Sequence, residues 1–287
     1  MQSTHQKLGI LVALGAATFF AISNSLARLA YIGGSNPDTL AFSRFYLPAI
    51  ILYVILKFSK KPILLPKKDG WISAVLGLLT GAYALALLIS IGRLPVAIAI
   101  LIFYLFPILT GLIIVTFGWA RLSATIIIGA LVAFTGLVLA LGVEFKELDT
   151  LGMIFASLAA IGMAVVSTIS GRMIHGQDPR QVTFYIVMGA IGAMLIYSQI
   201  GADIVLPNSP KGWSGLLFSN LFFAAAIIFY FTAISMIGAA RTALFSNLEP
   251  VLTVGTAFLF LGQSILPLQM VGIAIVVGAL IYASRAN

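Results

Sequence analysis

Long apolar stretches alternate with short polar segments along the whole chain. Each apolar stretch is close to the roughly 20 residues that an α-helix needs to cross the hydrocarbon of a membrane. The polar segments are rich in Gly, Pro, Asn, Lys or Arg, which is typical of turns and loops. The pattern predicts ten transmembrane helices, at about residues 8–31, 38–58, 70–91, 95–117, 123–141, 151–174, 180–200, 212–236, 239–261 and 266–284.

The second half of the chain repeats the first half at a nearly constant offset. Pro107 aligns with Pro250, 143 residues later, and the segments around the two prolines match without gaps. We therefore expect two copies of one unit, 1–145 and 146–287, within a single integrated transmembrane domain. Five helices per copy is an odd number, so the second copy enters the membrane from the opposite side. The predicted fold class is all-α, with two inverted-topology five-helix repeats.

The composition supports a polytopic membrane protein. Hydrophobic residues make up 61% of the chain and charged residues 8%, against about 25% charged residues in an average soluble domain. A soluble fold of this length could not bury so much apolar surface. The net charge of +8 comes from basic residues in loops, so we expect no nucleic-acid partner. Eleven of the 16 Lys and Arg residues fall on the side of the amino terminus, which predicts an inner-membrane protein with both termini in the cytoplasm.

The predicted ninth helix carries a row of polar side chains. Thr242, Ser246, Glu249, Thr253 and Thr256 are spaced four, three, four and three residues apart, so they share one helix face. A carboxylate at the centre of a membrane span costs about 2.5–3.5 kcal/mol to insert. Such a group faces protein or a water-filled cavity rather than lipid. The face is typical of the wall of a transport pathway.

Prolines interrupt the predicted fourth and ninth helices at equivalent positions. Pro107 and Pro250 each remove a backbone hydrogen bond within a predicted span. In transporters built from inverted repeats, interrupted helices in corresponding positions point to the substrate site. Two nearly equivalent packings of the repeats then expose that site to each side in turn. We therefore predict that both prolines act as hinges and that transport proceeds by alternating access.

Two short proline motifs carry a resemblance to a known family. Phe106-Pro107-Ile108 and Leu248-Glu249-Pro250-Val251, set in two five-helix halves, resemble the EamA-type branch of the drug/metabolite transporter superfamily over the whole chain. Members often have Trp-Gly where this chain has Phe20-Ala21, and Gly-Glu where it has Trp119-Ala120 and Gly262-Gln263. Within the family, the chain is most similar to amino-acid exporters of the YddG type. The resemblance implies that helices 3, 4, 8 and 9 surround a central cavity.

The candidate substrate site combines polar and aromatic side chains near the middle of the spans. One group, Ser246, Asn247 and Glu249, is predicted to hold the charged head of a zwitterion. An aromatic group is predicted to contact the apolar part of the substrate. The full set of candidate residues is Asn24, Tyr83, Phe103, Tyr104, Phe106, Tyr230, Ser246, Asn247 and Glu249.

The polar candidates also have structural interpretations. Glu249 could hydrogen-bond backbone groups that the neighbouring proline leaves free. Ser246 and Asn247 could form hydrogen bonds between helices. Arg28 and Arg44 could meet a substrate carboxylate, but the favoured interpretation is an arginine near a helix end whose head group reaches the membrane interface.

Other function classes receive less support from the sequence. The histidines are His5 and His175, both near loops, so no His-based metal site is expected within the membrane. No glycine-rich phosphate loop is present to bind ATP. Glu249 has no second intramembrane carboxylate for acid–base chemistry. We therefore predict no enzyme activity, no cofactor and no metal, and keep a channel or an intramembrane enzyme as weaker alternatives.

The predicted function is a secondary transporter that exports amino acids, including aromatic and neutral ones, from the cytoplasm. Export of drugs, nucleosides or sugars is the alternative within the same superfamily. The energy comes from the substrate gradient or from a proton gradient, and a single buried carboxyl group leaves both open. The expected partners are the small-molecule substrate and the lipid bilayer, with protons as the candidate coupling ion, and the expected state is a monomer.

Overall fold

The described residues fold into thirteen α-helices. A computed structural model describes residues 2–59, 62–143, 148–174, 176–261 and 265–285, and within these ranges it has no strand. His175 and Gly262-Gln263 lie outside them. The helices are α1 (Gln2–Ile32), α2 (Pro37–Ser43), α3 (Tyr46–Phe58), α4 (Lys67–Ile91), α5 (Val96–Phe103), α6 (Phe106–Thr116), α7 (Ala124–Ala140), α8 (Thr150–Ile174), α9 (Pro179–Ile200), α10 (Pro210–Ile237), α11 (Ala239–Phe245), α12 (Leu248–Leu261) and α13 (Pro267–Ser284).

Eight segments of the described chain are long and apolar enough to cross a membrane. Two of them, Pro37–Phe58 and Val96–Thr116, are pairs of helices joined by a short break. The helix at the predicted fifth span, α7, is apolar but has only 17 residues. The predicted ninth span forms α11 and α12. The protein is therefore an all-helical, multi-pass membrane protein, and eight of the ten predicted spans meet the criteria of length and hydropathy.

The breaks within the paired helices each precede a proline by two to four residues. Proline lacks the N–H that would close the helical hydrogen bond, and its ring clashes with the carbonyl four residues earlier. The sequence analysis predicts interruptions in the fourth and ninth spans but not the one in the second span, although Pro48 lies within that span. The breaks are Arg44–Phe45 before Pro48, Tyr104–Leu105 before Pro107, and Ser246–Asn247 before Pro250.

Glycines allow three pairs of helices to pack at close range. A side chain at Gly77 of α4 would overlap the backbone of α9 near Gly189, and the reverse is also true. At Gly272 of α13, a Cβ atom would overlap the backbone of α7. The end of α1 meets the start of α10 in the same way, through Gly33 and Gly212. Small residues that let backbones approach are a common basis of helix association in membranes.

The bundle has two ends, which we call the termini end and the linker end. At the termini end, Gly9 near the start of α1 packs against Ile237 at the end of α10. The end of α8 lies there too, where Gly171 packs against Ala239. At the linker end, the end of α1 meets the start of α10. The first helices of the two repeats, α1 and α8, therefore run in opposite directions.

Polar contacts join the two repeats at both ends of the bundle. At the linker end, the side-chain amide of Asn36 donates a hydrogen bond to the carbonyl of Asp203 at 2.5 Å. At the termini end, the side-chain amide of Gln177 donates to the carboxylate of Asp69 at 2.7 Å. The loop before α2 and the first turn of α4 are therefore held by loops of the other repeat. This arrangement fixes the helices around the middle of the bundle, where the polar candidates lie.

Candidate functional site

The carboxylate of Glu249 is the point at which distant parts of the chain meet. Glu249 lies in the first turn of α12 and is half-buried. The side-chain amide of Asn24 on α1 donates to its Oε1 atom at 2.9 Å. The hydroxyl of Tyr104, in the break between α5 and α6, donates to the same carboxylate. Arg44 and Tyr83 lie within electrostatic range of this group. Both repeats therefore contribute to one polar centre.

The hydroxyl groups on the predicted polar face bond mainly to their own helix. Thr242, Ser246 and Thr253 each donate to the carbonyl four residues earlier, at 2.9, 3.1 and 2.9 Å. These bonds satisfy the hydroxyls without any ligand. Thr256 differs, because its hydroxyl also lies 2.6 Å from that of Ser25 on α1. This contact extends the junction of α1 and α12 from Glu249 toward the linker end.

Four of the predicted aromatic residues form one cluster beside the carboxylate. The ring of Phe103 lies 6.4 Å from that of Tyr83, 5.7 Å from that of Tyr104 and 5.4 Å from that of Phe106, between centroids. Tyr83 and Phe103 are half-buried, so each keeps surface that a ligand could contact. Phe106 is only 2% exposed and packs behind them. The polar centre therefore has an aromatic wall.

Three further candidates are placed behind the polar centre. Ser246 and Asn247 form the break between α11 and α12 and are 5% and 1% exposed. The amide of Asn247 donates to the carbonyl of Leu244 at 2.8 Å, so it helps to end α11. The hydroxyl of Tyr230 lies 2.7 Å from that of Ser167 on α8, and Tyr230 is 2% exposed. These residues shape the site from within the packed core.

Arg44 lies inside the bundle rather than at its end. It follows α2 in the break that precedes Pro48, and its guanidinium carbon sits 4.6 Å from the centre of the Phe223 ring. Phe223 is the middle residue of α10, which spans Pro210–Ile237. The favoured sequence interpretation, an arginine reaching the interface, is therefore wrong for Arg44. The signal that could have found it is a proline ten residues into a predicted span.

A cavity opens at the termini end, where α6, α7, α8 and α11 come together. It has a volume of about 760 Å³ and is lined by Arg121, Arg172 and Arg241. The guanidinium of Arg172 lies over the ring of Trp119, with 4.4 Å from its carbon to the ring centre. A cation over an indole face is held in place by the ring quadrupole. This cavity is basic, in contrast to the polar centre around Glu249.

The arrangement fits binding better than metal or covalent chemistry. Among the described residues, no group of three or more His, Asp or Glu side chains is placed to hold a metal ion. The polar centre offers one carboxylate, one guanidinium and hydrogen-bond donors beside aromatic rings. Such a set can bind a small molecule that has both charged and apolar parts.

A family comparison agrees with the repeat that the sequence predicts. The sequence model of the EamA-like transporter family matches the chain twice, over residues 7–142 and 150–285. The two matches are offset by 143 residues (150 − 7 = 143), which is the offset between Pro107 and Pro250. The chain belongs to the EamA-like transporter family. The resemblance drawn from the proline motifs is thereby confirmed.

Relatives of this EamA-like transporter extend over nearly its whole length. A protein named Uncharacterized transporter YyaM, from Bacillus subtilis (strain 168), is 27% identical over 288 residues, covering 96% of this chain and 92% of the relative. Uncharacterized transporter sll1319, from Synechocystis sp. (strain ATCC 27184 / PCC 6803 / Kazusa), is 27% identical over 309 residues, covering 94% and 91%. A solved crystal structure matches with a TM-score of 0.82 at 18% identity, covering 96% of each chain, and shows the shared fold.

Membership in the family fixes the general class of the protein. It is a multi-pass membrane transporter, and transporters of this family are not enzymes. The structure shows what two of the residues that depart from the family pattern contact. Phe20 packs edge-on against Phe223, at 5.7 Å between ring centres, and Trp119 supports Arg172.

Proposed function

We propose that this transporter exports amino acids, aromatic and other neutral ones, across the inner membrane by alternating access. The observation that carries the proposal is the contact between a charged centre and an aromatic wall inside the bundle. Glu249, oriented by Asn24 and Tyr104, binds the ammonium group in this proposal. Tyr83 and Phe103 contact the side chain of the substrate. A neutral amino acid presents both kinds of surface.

The charge of Glu249 suits an ammonium group for an electrostatic reason. Coulomb attraction is several times stronger in the low effective dielectric of a protein than in bulk water. A carboxylate that already accepts hydrogen bonds from two neutral side chains retains its net charge for a ligand. A sugar or a nucleoside base has no permanent cation to match it. This difference favours amino acids over sugars and nucleosides. Cationic drugs also carry a positive charge, and the transport assay below distinguishes them from amino acids.

We further propose that the thirteen helices form ten transmembrane segments. The pairs α2–α3, α5–α6 and α11–α12 each count as one segment interrupted before a proline. The remaining seven helices count singly. Both termini then lie on the same side, and the excess of Lys and Arg supports the cytoplasm as that side. The termini end is the cytoplasmic end in this proposal.

The packing of the interrupted helices supports alternating access with hinges at Pro107 and Pro250. On the termini side of the breaks, α6 packs against α11. On the linker side, α5 packs against α4 and α8, while α12 packs against α1. The half-helices therefore meet at one end and diverge to different neighbours at the other. We propose that the site is closed toward the cytoplasm and accessible from the linker end in this conformation.

The basic cavity at the termini end has a place in this cycle. Its three arginines, Arg121, Arg172 and Arg241, come from different segments around the contact of α6 and α11. A cleft lined by one sign of charge raises the local concentration of oppositely charged solutes. We propose that this cavity is the cytoplasmic mouth of the pathway and attracts the carboxylate of an amino acid.

Transport of labelled amino acids into proteoliposomes tests the proposed function. We expect the purified protein to exchange labelled phenylalanine and leucine across the membrane, while protein-free liposomes do not. The assay is run with and without an imposed pH gradient. Flux that follows the amino-acid gradient alone identifies a facilitator, and flux that requires the pH gradient identifies proton coupling. Absence of both, with flux of a nucleoside, sugar or cationic drug instead, would contradict the substrate assignment.

A further inference from the structure

We infer that Arg44 binds the carboxylate of the substrate, so that the site selects α-amino acids over amines that lack an acid group. The inference rests on the proposed function and deepens it. Glu249 accounts for the ammonium half of a zwitterion, but it repels the carboxylate half. A second, positively charged group is therefore needed near the same centre. Arg44 is a half-buried cation within electrostatic range of Glu249.

Arg44 lies at depth within the bundle. α2 begins at Pro37, and seven residues of helix place Arg44 about 10 Å along the helix axis from that start. The guanidinium lies over Phe223, at the midpoint of α10. A charge at such depth in a membrane segment is expensive and marks a functional site by default. Arg44 therefore needs an explanation other than an interfacial anchor.

The surroundings of the Arg44 guanidinium suit a carboxylate ligand. The guanidinium lies over the ring of Phe223. That ring is held in turn by Phe45, which packs edge-on against it at 5.4 Å between ring centres. The Nε atom of Arg44 is buried and has no hydrogen-bond partner among the residues that the structure describes. Guanidinium N–H groups form a planar fork that matches a carboxylate with two parallel hydrogen bonds. A ligand carboxylate would supply the acceptor that Nε lacks.

Arg44 and Glu249 carry opposite charges near the same centre. The two groups act on each other through space, while the direct hydrogen bonds to the Glu249 carboxylate come from Asn24 and Tyr104. Arg44 is thus a charge partner of Glu249 that retains an unpaired buried donor. An α-amino acid carries its ammonium and carboxylate groups only a few bonds apart. It can bridge the pair by placing each group against the opposite charge.

A comparison of phenylalanine with its amide tests the inference. Phenylalaninamide keeps the ammonium group and the ring but has no carboxylate. In wild-type proteoliposomes, we expect the KM for the amide to exceed that for phenylalanine by about tenfold or more, as for loss of a hydrogen bond to a charged group. In Arg44→Gln, the KM for phenylalanine rises by about tenfold or more, while that for the amide changes by less than about twofold. Arg44→Lys, which keeps the charge but not the fork, is expected to fall between them.

Arg28→Gln is the matched control, because Arg28 is an exposed arginine on α1. It is expected to leave the preference for phenylalanine over the amide unchanged. Equal transport of both compounds by the wild type would overturn the inference even if no Arg44 variant folded. Arg44→Gln could instead lose transport of phenylalanine and of the amide to the same extent, while only Arg44→Lys keeps the wild-type preference. That result would also overturn the inference that the guanidinium fork of Arg44 contacts the carboxylate. Failure of the wild type to move either compound would overturn the proposed function itself.

Discussion

Replacing Glu249 by Gln is expected to lower the rate of amino-acid transport by about 30-fold or more. Removing one partner of a buried, hydrogen-bonded charge pair costs about 2–5 kcal/mol, and about 1.4 kcal/mol corresponds to a tenfold change. The amide oxygen of Gln can still accept hydrogen bonds from Asn24 and Tyr104, so the fold is expected to remain. The initial rate of phenylalanine uptake into proteoliposomes measures the effect.

Asp203→Asn is the control for the loss of Glu249. Asp203 is also acidic, but its contacts with Asn36 and Asp38 at the linker end are made by its backbone. The control is expected to transport at the wild-type rate. If Glu249→Gln did the same, Glu249 would have the structural role of holding Asn24 and Tyr104. If uptake by Glu249→Gln fell but kept the wild-type dependence on pH, Glu249 would bind the substrate without carrying a coupling proton.

Replacing Gly77 by Ala is expected to lower the unfolding midpoint of the purified protein by about 2–12 °C. A methyl group at this position would overlap the carbonyl oxygen of Ile186 on α9. The overlapping atom belongs to the backbone, so the helices must separate. Overpacking of this kind costs about 1–3 kcal/mol, and about 1 kcal/mol shifts the midpoint by 2–4 °C in a protein of 150–250 residues. Thermal unfolding in detergent, followed by intrinsic fluorescence, measures the shift.

Gly278→Ala provides the matched control for helix packing. Gly278 lies in α13, and a Cβ atom there meets no other atom within 4 Å. The same substitution is expected to leave the midpoint unchanged or to raise it slightly, because Ala favours a helix over Gly by about 0.5–1 kcal/mol. Equal midpoints for Gly77→Ala and Gly278→Ala would show that the contact of α4 and α9 does not depend on glycine.

The repeat and the helical class could be predicted from the sequence because they depend on patterns that are local or regular. An apolar run of about 20 residues has one stable solution in a membrane, which is a helix. The match of Pro107 to Pro250 is visible by alignment of the chain with itself. The two family matches at the same offset confirm the repeat. The count of ten spans is a proposal, because the helix at the fifth predicted span is short and the ninth predicted span is divided into α11 and α12.

The details of the site depend on contacts that the sequence does not encode locally. Asn24 and Glu249 were both candidates, but nothing in their spacing of 225 residues shows that they share a hydrogen bond. The helix period places Ser246 on the face of Glu249, yet the break there turns its hydroxyl to the end of its own helix. For Arg44, the sequence favours an interfacial arginine over a contact with a substrate carboxylate for a similar reason. Its position early in the second predicted span suggests the interface, whereas the structure places its guanidinium beside Phe223 in the middle of α10.

Cysteine accessibility tests alternating access most directly, and the chain has no cysteine of its own to give a background. Thr253→Cys places a thiol on α12 between Glu249 and the linker end, and Ser123→Cys places one in the cavity at the termini end. Both are labelled with a membrane-impermeant maleimide, with and without phenylalanine. The account predicts that the amino acid changes the two labelling rates in opposite directions. Rates that change together, or that stay constant while transport proceeds, would contradict it and favour a channel.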